Sequence, residues 1–446
     1  MCPTIFVGHI IFCIKILAII IGILEIFMKL THDQTIAYEA MISGSNTFIT
    51  GSGGTGKSYV INKYIEYCNK NDKNIIVAAP TGIAALNING ATLHRIFGLP
   101  LSPIIDKPTY IPEVLKTADV ILIDEISMCR IDIFDRVASL IINANKQREK
   151  YNKNRIQLIV CGDFFQLPPV ITDNDRSILE TFYNKNLGKG FAFQSWYWSQ
   201  MNFITIQLND VVRQTDNEFV HYLNMIRYGD SRAIPYFNNK SIKIPKAGSI
   251  ILCGTNKTAK LNNLNKLNEL KTPRKIYLAK ETGELRESDK YTDSDLELRE
   301  GARIITLIND TEDKFKNGSL GTILKLHNDY ITVDIDDGGI VDIHKYTWEI
   351  KNYKLNNKKL KSEVVATFTQ IPVKLAYAIT IHKSQGQTYS KVILNPYCWD
   401  HGQLYVALSR IKSIDSLNLE SQIQSRFLVV SDTVKYFYSQ LMKGSI

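Results

Sequence analysis

The sequence predicts an α/β protein with two parallel β-sheets, and three observations carry that prediction. The first is a glycine-rich turn that joins an apolar run at residues 46–50 to a segment with helical spacing at 59–68. The second is a series of short apolar runs that end in polar residues and lead into helix-prone sequence, which is typical of parallel crossover units. The third is a set of polar and cationic groups that follow apolar runs in the second half of the chain. They predict a second parallel sheet with functional groups at the carboxyl ends of its strands.

The glycine-rich turn reads GSGGTGKS and spans residues 51–58. Its glycines permit the positive φ values that aim backbone N–H groups inward, and the following helix adds the positive end of its dipole. Lys57 is expected to reach the β- and γ-phosphates of a nucleotide, and the Ser58 hydroxyl to bind Mg²⁺. A chance glycine-rich turn is the alternative, which the flanking strand and helix disfavour. The predicted nucleotide-binding residues of the turn also include Gly51, Ser52, Gly53, Gly54, Thr55 and Gly56.

Composition sets the bounds on the class of protein. The chain has 446 residues, enough for two or three domains, and its hydrophobic fraction of 45% is typical of globular proteins. The net charge of +9 weakly favours an anionic partner. The seven cysteines are scattered without a CxxC pair, which predicts reduced, buried thiols in a reducing compartment and no zinc site.

The N-terminal residues 5–28 are strongly apolar and are long enough to span a bilayer. Lys15 near the middle would cost about 3 kcal/mol on insertion. The segment lacks the basic start and the small-residue cleavage site of a secretory signal. We favour a translation start at Met28, which would make residues 1–27 an over-extended start. A membrane anchor, and with it a membrane partner, is the alternative.

Two further strand ends carry candidate catalytic groups. Residues 120–123 (VILI) predict a buried strand ending in Asp124 and Glu125, where a phosphate-loop protein handles Mg²⁺ and the attacking water. Asp124 is expected to hold the metal, directly or through water, and Glu125 to accept the proton from that water. This glutamate favours hydrolysis over phosphate transfer and disfavours a nucleotide kinase. Residues 156–161 predict another strand, and the prolines after it would hold Gln166, whose amide can sense a γ-phosphate.

In this order the motifs resemble the superfamily 1 DNA helicases of the 5′→3′ class. The match is best to the petite-integration-frequency family, which is related to RecD-like and phage Dda-like enzymes. The resemblance spans nearly everything from Lys29 to the C-terminus. The matching segments are LTHDQ (30–34), AAPTGIAA (78–85), GATLHRIFG (90–98), DEISM (124–128), GDFFQLPPV (162–170), VVRQ (211–214), AITIHKSQGQT (378–388) and YVALSRI (405–411).

The resemblance implies two RecA-like (P-loop NTPase) domains with ATP between them, plus a small inserted β-barrel of Src-homology type. It assigns Gln34 to adenine recognition, Gly386 to nucleotide binding, and Arg213 and Arg410 to the γ-phosphate in the manner of arginine fingers. Surface salt bridges are the alternative for the two arginines. The residues that the resemblance places near DNA are Pro80, Thr81, His94, Phe97, His382, Lys383 and Ser384.

The predicted domains are 29–203 for the first RecA-like domain, 204–297 with 367–446 for the second, and 298–366 for the barrel. A proline-rich loop at 97–116 is similar to the strand-separating wedge of the family, with Phe97, Leu99 and Leu101 as candidates for stacking at a fork. Residues 280–300 are charged and predict a solvated connector. The basic residues around a predicted hairpin turn at Asn356 and Asn357 either contact phosphates or form a solvated face; they are Lys351, Lys354, Lys358, Lys359 and Lys361.

We therefore expect an intracellular ATP- and Mg²⁺-dependent DNA helicase, acting 5′→3′ on single strands and duplex junctions in replication, recombination or repair. The glycine-rich stretch of eukaryotic members is absent between DEISM and GDFFQLPPV, so a telomeric or mitochondrial role is not implied. The wedge loop is also short. Two alternatives stay open. One is an ATP-driven clamp or switch that binds nucleic acid without unwinding it, and the other is a helicase that acts mainly on RNA.

Overall fold

The computed structural model describes residues 30–443, apart from 107, 109, 215, 247, 286–289, 311, 313, 337 and 357–358, and it leaves the side chains of 351–363 undescribed. The apolar N-terminal segment 1–28, with its two alternative interpretations, lies outside the described residues. Within the part that is described, no helix is long and apolar enough to cross a bilayer.

The first sheet has six parallel strands in the order β3-β2-β4-β5-β1-β6. Its central strands are short apolar runs buried on both faces, as expected for a sheet covered by helices on each side. The strands are β1 (Thr47–Gly51), β2 (Ile75–Ala79), β3 (Ala91–Thr92), β4 (Val120–Ile123), β5 (Gln157–Cys161) and β6 (Ile204–Leu208).

Strand β6 corrects one predicted boundary. It pairs in parallel with β1, from Thr47↔Ile204 to Gly51↔Leu208, and so forms the edge of the first sheet. The sequence prediction placed it in the second domain. An apolar run indicates a strand but not which sheet accepts it, so the domain assignment had no local signal. The other predicted boundaries within the two parallel regions stay predictions.

Helices cover both faces of the first sheet. The sequence offers Thr31 or Asp33 as the N-cap of the first of them, and in the structure Thr31 is the N-cap, with a capping box closed by Gln34. Asp33, the alternative cap, accepts a hydrogen bond from the Asn209 backbone N–H at 2.9 Å instead. The helices are α1 (His32–Ile42), α2 (Lys57–Lys70), α3 (Gly82–Asn87), α4 (Leu93–Phe97), α5 (Val114–Thr117), α6 (Ile131–Lys150) and α7 (Asp173–Tyr183).

An antiparallel region follows helices α8 (Asn217–Tyr228) and α9 (Ile234–Lys240), strand β7 (Ile250–Cys253) and helix α10 (Asn256–Glu269). Its strands form sheets in the orders β14-β13-β12-β11-β17, β15-β16-β9 and β10-β8. Their bounds are β8 (Arg274–Leu278), β9 (Lys280–Gly283), β10 (Asp295–Arg299), β11 (Arg303–Thr306), β12 (Leu320–Leu326), β13 (Tyr330–Ile335), β14 (Gly339–His344), β15 (Tyr346–Asn356), β16 (Lys359–Gln370) and β17 (Val373–Leu375).

The prediction of a solvated connector at residues 280–300 was wrong, because β9 and β10 lie there. In β10 the charged residues alternate with Leu296 and Leu298, which are buried, so the charges occupy one face of a strand. Strands β15 and β16 pair as far as Asn356↔Lys359. The predicted turn residue Asn357 and the side chains of the five neighbouring lysines lie outside the described residues.

The second parallel sheet has the order β18-β7-β19-β20. Its C-terminal helix packs back on the first sheet, because the Phe437 ring stacks on Phe193 at 4.2 Å and contacts Phe164 at 5.5 Å. The largest hydrophobic core therefore joins the two parallel regions. The remaining elements are β18 (Ala378–Thr380), β19 (Val392–Leu394), α11 (Gln403–Ser409), β20 (Leu417–Leu419) and α12 (Asp432–Met442).

Candidate nucleotide cleft and nucleic-acid groove

The glycine-rich loop connects β1 to α2, and its glycines are required by close packing. A Cβ atom at Gly51 would lie 2.4 Å from the Leu208 carbonyl oxygen, and Gly54 and Gly56 adopt φ values of 91° and 79°. The Lys57 ammonium donates to the carbonyl oxygens of Gly51 at 2.9 Å and Ser52 at 3.0 Å. The lysine is thus held over the loop at the N-terminus of α2, where an anion is favoured.

Gln34 lies directly against this loop. Its side-chain amide donates to the Thr55 carbonyl oxygen at 3.1 Å, and its oxygen accepts from the Thr31 backbone N–H at 3.2 Å. The side chain is buried, and a Cβ at Gly56 would come within 2.4 Å of its nitrogen. The structure therefore brings Gln34 to the loop, while adenine recognition by this amide stays a prediction.

Asp124 and Glu125 follow β4 and are both withdrawn from solvent. Asp124 accepts a hydrogen bond from the Glu125 backbone N–H at 2.8 Å, and burial raises its pKa. Glu125 adopts a left-handed conformation, φ 51° and ψ 45°, which is uncommon for a residue other than glycine. Burial and the adjacent Asp124 raise the pKa of Glu125 to about 7, against the opposing effect of Lys57. A carboxylate with a pKa near neutrality is suited to accept a proton from water.

Gln385, from the second parallel region, joins Glu125 to Gln166. Its side-chain nitrogen donates to Glu125 Oε2 at 2.8 Å and to Gln166 Oε1 at 3.2 Å. Gln166 is buried, and its backbone N–H donates to the Asp163 carbonyl oxygen at 2.8 Å. Gln385 was not among the predicted site residues, although it lies within the AITIHKSQGQT segment, which is the signal that could have identified it.

Both predicted arginines approach the glycine-rich loop. Arg213 packs against Gly54 and donates to the Ser409 carbonyl oxygen at 3.1 Å. The buried Arg410 donates to the Ser409 hydroxyl at 2.8 Å, and burial together with the neighbouring Arg213 lowers its pKa to about 9. Among the described residues no carboxylate forms a salt bridge with either arginine. Their contact with a γ-phosphate stays a prediction.

The predicted nucleotide-binding residue Gly386 packs against helix α3 of the first parallel region. Its φ is 81°, and a Cβ there would come within 3.2 Å of the Asn87 side-chain nitrogen in α3. The structure thus shows Gly386 at a contact between the two parallel regions. A role in nucleotide binding stays a prediction.

A buried polar network behind the loop was missed by sequence reasoning. Asp163 pairs with Arg227 at 2.8 and 3.0 Å. The Tyr405 hydroxyl accepts a hydrogen bond from the Gly53 backbone N–H at 2.7 Å, and the Tyr438 hydroxyl bonds Thr50 at 2.6 Å. Asp163 and Tyr405 lie within recognisable sequence motifs. Arg227 and Tyr438 do not, and no nearby residue indicates their role because their partners are more than 60 residues away.

The residues at the cleft fit a Mg²⁺ ion that is shared with phosphates. Asp124 and Ser58 offer hard oxygen donors, which Mg²⁺ prefers. Across the described part of the chain, no group of three or more His, Cys, Asp or Glu side chains could hold a metal on its own. This donor set matches the usual binding of Mg²⁺ through one or two protein ligands with substrate phosphates and water.

An open groove of about 790 Å³ lies between the first parallel region, the second and the antiparallel strands. Thr81 and Lys383, both predicted to lie near DNA, line it together with Asn256, Lys260 and Lys374. Burial and the neighbouring Lys383 lower the pKa of Lys374 to about 8. The groove is therefore lined by cationic and polar groups from three parts of the fold. Of the other predicted residues, Pro80, His94 and His382 are partly buried.

The structure buries the side chains of two residues that are predicted to lie near DNA, and their contact with DNA stays a prediction. Phe97 is 2% exposed, because as the last residue of α4 it packs into the main core, and Leu99 is buried beside it. The Ser384 side chain is fully buried, and its hydroxyl donates to the Ile381 carbonyl oxygen at 2.7 Å. Leu101 is 74% exposed and stays a candidate for stacking at a fork. The position of a residue in a motif did not reveal whether its side chain faces the core or the solvent.

Comparison with known proteins identifies the family. The PIF1-like helicase profile matches residues 29–233, and the UvrD-like helicase C-terminal domain profile matches residues 375–412. The ATP-dependent DNA helicase Pif1 of Campylobacter jejuni is 32% identical over 426 residues, which cover 87% of this chain and 92% of that protein. The chain belongs to the PIF1-like helicase family.

Further similarities support this membership of the PIF1-like helicases. The ATP-dependent DNA helicase Pif1 of Bdellovibrio bacteriovorus is 30% identical over 441 residues, which cover 93% of this chain and 92% of that protein. The crystal structure of Bacteroides Pif1 in complex with ADP-AlF4 superposes with a TM-score of 0.78 at 31% identity, covering 93% of this chain and 98% of that one. The predicted fold class of two RecA-like domains is confirmed. The Src-homology type of the inserted barrel stays a prediction.

Proposed function

We propose that this PIF1-like helicase uses ATP hydrolysis to move 5′→3′ along single-stranded DNA and to separate the duplex ahead of it. Family membership makes the chain an ATP-hydrolysing DNA helicase. The direction of movement, the roles of individual residues, and action in replication, recombination or repair are the proposed parts. The observation that carries the proposal is the Gln385 side chain, which links the nucleotide cleft to the segment that lines the groove.

At the nucleotide, the loop N–H groups and Lys57 would hold the phosphates, and Glu125 would accept a proton from the attacking water. Ser58 and Asp124 would hold Mg²⁺. A bound Mg²⁺ ion would neutralise part of the phosphate charge. Arg213 and Arg410 would stabilise the negative charge that develops on the γ-phosphate, and their packing beside Gly54 and Gly53 of the loop supports this role. Asp124 and Arg410 are buried, so their interactions would be stronger than they are in water.

The coupling runs through a short segment after β18. Lys383 lines the groove, and Gln385, two residues later, donates to Glu125 and Gln166 in the cleft. A change in the position of the γ-phosphate at Gln166 would therefore act on the same segment that grips the strand. Alternating closure and opening of the cleft can convert this link into steps along a strand.

The proposed ligand of the groove is single-stranded DNA. Bacteroides Pif1 has been solved bound to ssDNA, and that structure superposes on this chain with a TM-score of 0.68 at 32% identity. The lysines of the groove suit phosphate contacts, which are sensitive to salt and tolerant of sequence. Each step of unwinding must overcome about 1.4 kcal/mol of stacking per base-pair step.

Unwinding of matched duplexes with a 5′ or a 3′ single-stranded tail tests the proposal. We expect ATP-dependent strand separation with the 5′ tail and little with the 3′ tail. The Lys57→Ala variant should separate neither, since it lacks the ammonium over the phosphate loop. Unwinding from the 3′ tail would reverse the proposed direction. Binding without strand separation would favour the clamp, and activity on RNA tails alone would favour an RNA helicase.

A further inference from the structure

We propose that Trp399 and Tyr397 form a platform on which bases of single-stranded DNA stack, next to the groove. Both side chains lie on the loop between β19 and α11, which we call the platform loop (residues 395–402). The inference rests on the proposed function, because it names where on this helicase the strand continues beyond the groove. Neither residue was predicted as a site residue from the sequence.

Both rings are exposed although the loop that carries them is well fixed. Trp399 is 55% exposed and Tyr397 is 62% exposed, whereas Cys398 between them is buried. The Trp399 backbone N–H donates to Gln403 Oε1 at 3.0 Å, and the Tyr397 backbone N–H donates to Asn395 Oδ1 at 3.0 Å. Two large rings are thus presented to solvent on a backbone that is already ordered, which lowers the entropy cost of binding.

The platform loop adjoins the groove at the carboxyl edge of the second parallel sheet. A Cβ at Gly254, which follows β7, would lie 2.9 Å from the Tyr397 carbonyl oxygen and 3.5 Å from Trp399 Nε1. Gly254 lies two residues before Asn256, which lines the groove. On the other side, burial lowers the pKa of His382, the neighbour of the groove residue Lys383, and the negative charge of Asp400 opposes that shift. The platform loop therefore lies beside residues that neighbour the lining of the groove.

The charges around the platform suit a polynucleotide. The Tyr397 ring lies 5.5 Å from the Phe427 ring, and the Arg426 guanidinium lies 5.0 Å from that same ring. The nearest acidic group on the loop, Asp400, is paired with Lys189. Glu420 also faces the loop and accepts a hydrogen bond from the Asn395 side chain at 2.8 Å. Exposed aromatic rings beside cationic groups are typical of surfaces that bind single strands without sequence preference.

Binding of an oligothymidine to the full chain tests the platform. Trp399→Ala should bind about tenfold more weakly, within the range for loss of one stacked base, and Trp399→Phe should retain most of the affinity. Tyr397→Ala should weaken binding in the same direction. The matched control is Trp196→Ala, which should leave the affinity unchanged. Trp196 belongs to the first parallel region, is 49% exposed and packs on Tyr183.

Tryptophan fluorescence provides a second readout that a loss of folding would not imitate. The chain has four tryptophans, and stacking on a base should quench Trp399 when the oligothymidine is added. Trp399→Phe should lose most of that quenching while it still binds. Wild-type affinity in Trp399→Ala and Tyr397→Ala, or full quenching in Trp399→Phe, would overturn the platform and leave the helicase function intact. Failure of the wild-type protein to bind the oligothymidine would overturn both.

Discussion

The nucleotide cleft and the strand groove of this helicase differ in how their polar groups are held. In the cleft, Glu125, Gln166 and Gln385 are withdrawn from solvent and fixed by hydrogen bonds of 2.8 to 3.2 Å. In the groove, Lys383 is exposed and the surroundings are open. In the buried cleft, electrostatic interactions are strong and depend closely on atomic positions. In the open groove, they are weaker and are screened by salt.

This difference indicates how each region achieves its function. The cleft depends on a few atoms at fixed distances, so that removal of one atom should change a rate by orders of magnitude. The groove depends on several phosphate and stacking contacts, and each of these should contribute a modest factor to affinity. Four substitutions test this contrast, and we take them in order of decreasing expected effect.

The largest effect is expected in the cleft, for Glu125→Gln. The amide keeps the shape of the side chain but cannot accept a proton, so ATP turnover should fall by about 10² to 10⁴-fold. ATP binding should persist, as measured with a fluorescent ATP analogue beside a steady-state ATPase assay. Glu113→Gln, at a partly exposed carboxylate paired with Lys116, is the matched control. Unchanged turnover in Glu125→Gln would exclude this carboxylate as the base.

The next substitution, Gln385→Ala, acts at the link between the two regions. It removes the amide that donates to Glu125 and Gln166, and a lost hydrogen bond to a charged group is worth about 1.5–3 kcal/mol, so DNA-stimulated turnover should fall roughly 10- to 100-fold. Affinity for a single strand should stay within about twofold, because Gln385 reaches into the cleft. Gln200→Ala, on the surface of the first region, is the control. Loss of strand binding with normal turnover would reverse this division of roles.

A smaller effect is expected in the groove, for Lys383→Ala. Loss of one phosphate contact should weaken single-strand binding by several-fold at low salt and reduce the slope of log affinity against log salt by about 0.7. ATP binding in the absence of DNA provides the comparison within the same protein. Lys63→Ala, at a lysine that pairs with Glu66 on α2, is the control. An unchanged salt slope would remove Lys383 from the strand contacts.

The smallest effect is a pH dependence at Lys374. Burial and Lys383 lower its pKa to about 8, against the opposing effect of Asp293, so the amine is charged below that pH and loses its charge as the pH rises through it. Single-strand affinity should therefore decline a few-fold between about pH 7 and pH 9. Lys374→Arg keeps its charge throughout and should flatten the profile. The same decline in both proteins would show that another group titrates.

Sequence reasoning succeeded where local chemistry determines the structure. The glycine-rich loop, the strand before Asp124 and the Thr31 cap depend on residues within a few positions of one another. It failed where a distant partner decides the outcome. Strand β6 was assigned to the wrong sheet because its partner β1 lies some 150 residues earlier.

The same limitation applies to individual side chains in the two candidate sites. Phe97 and Ser384 lie in recognisable motifs, yet tertiary packing turns both of them inward. The pairing of Asp163 with Arg227 is equally invisible in the sequence, because neither residue alone indicates a partner. Gln385 is the intermediate case: its segment was recognised, but the contact to Glu125 required the fold.

ATPase activity with and without added single-stranded DNA is the most direct test of coupling between the cleft and the groove. We expect turnover to rise several-fold or more when a single strand is present, because strand binding at the groove acts on the segment that contacts Glu125 and Gln166. Equal turnover with and without the strand would contradict the coupling, and with it the proposed movement along DNA.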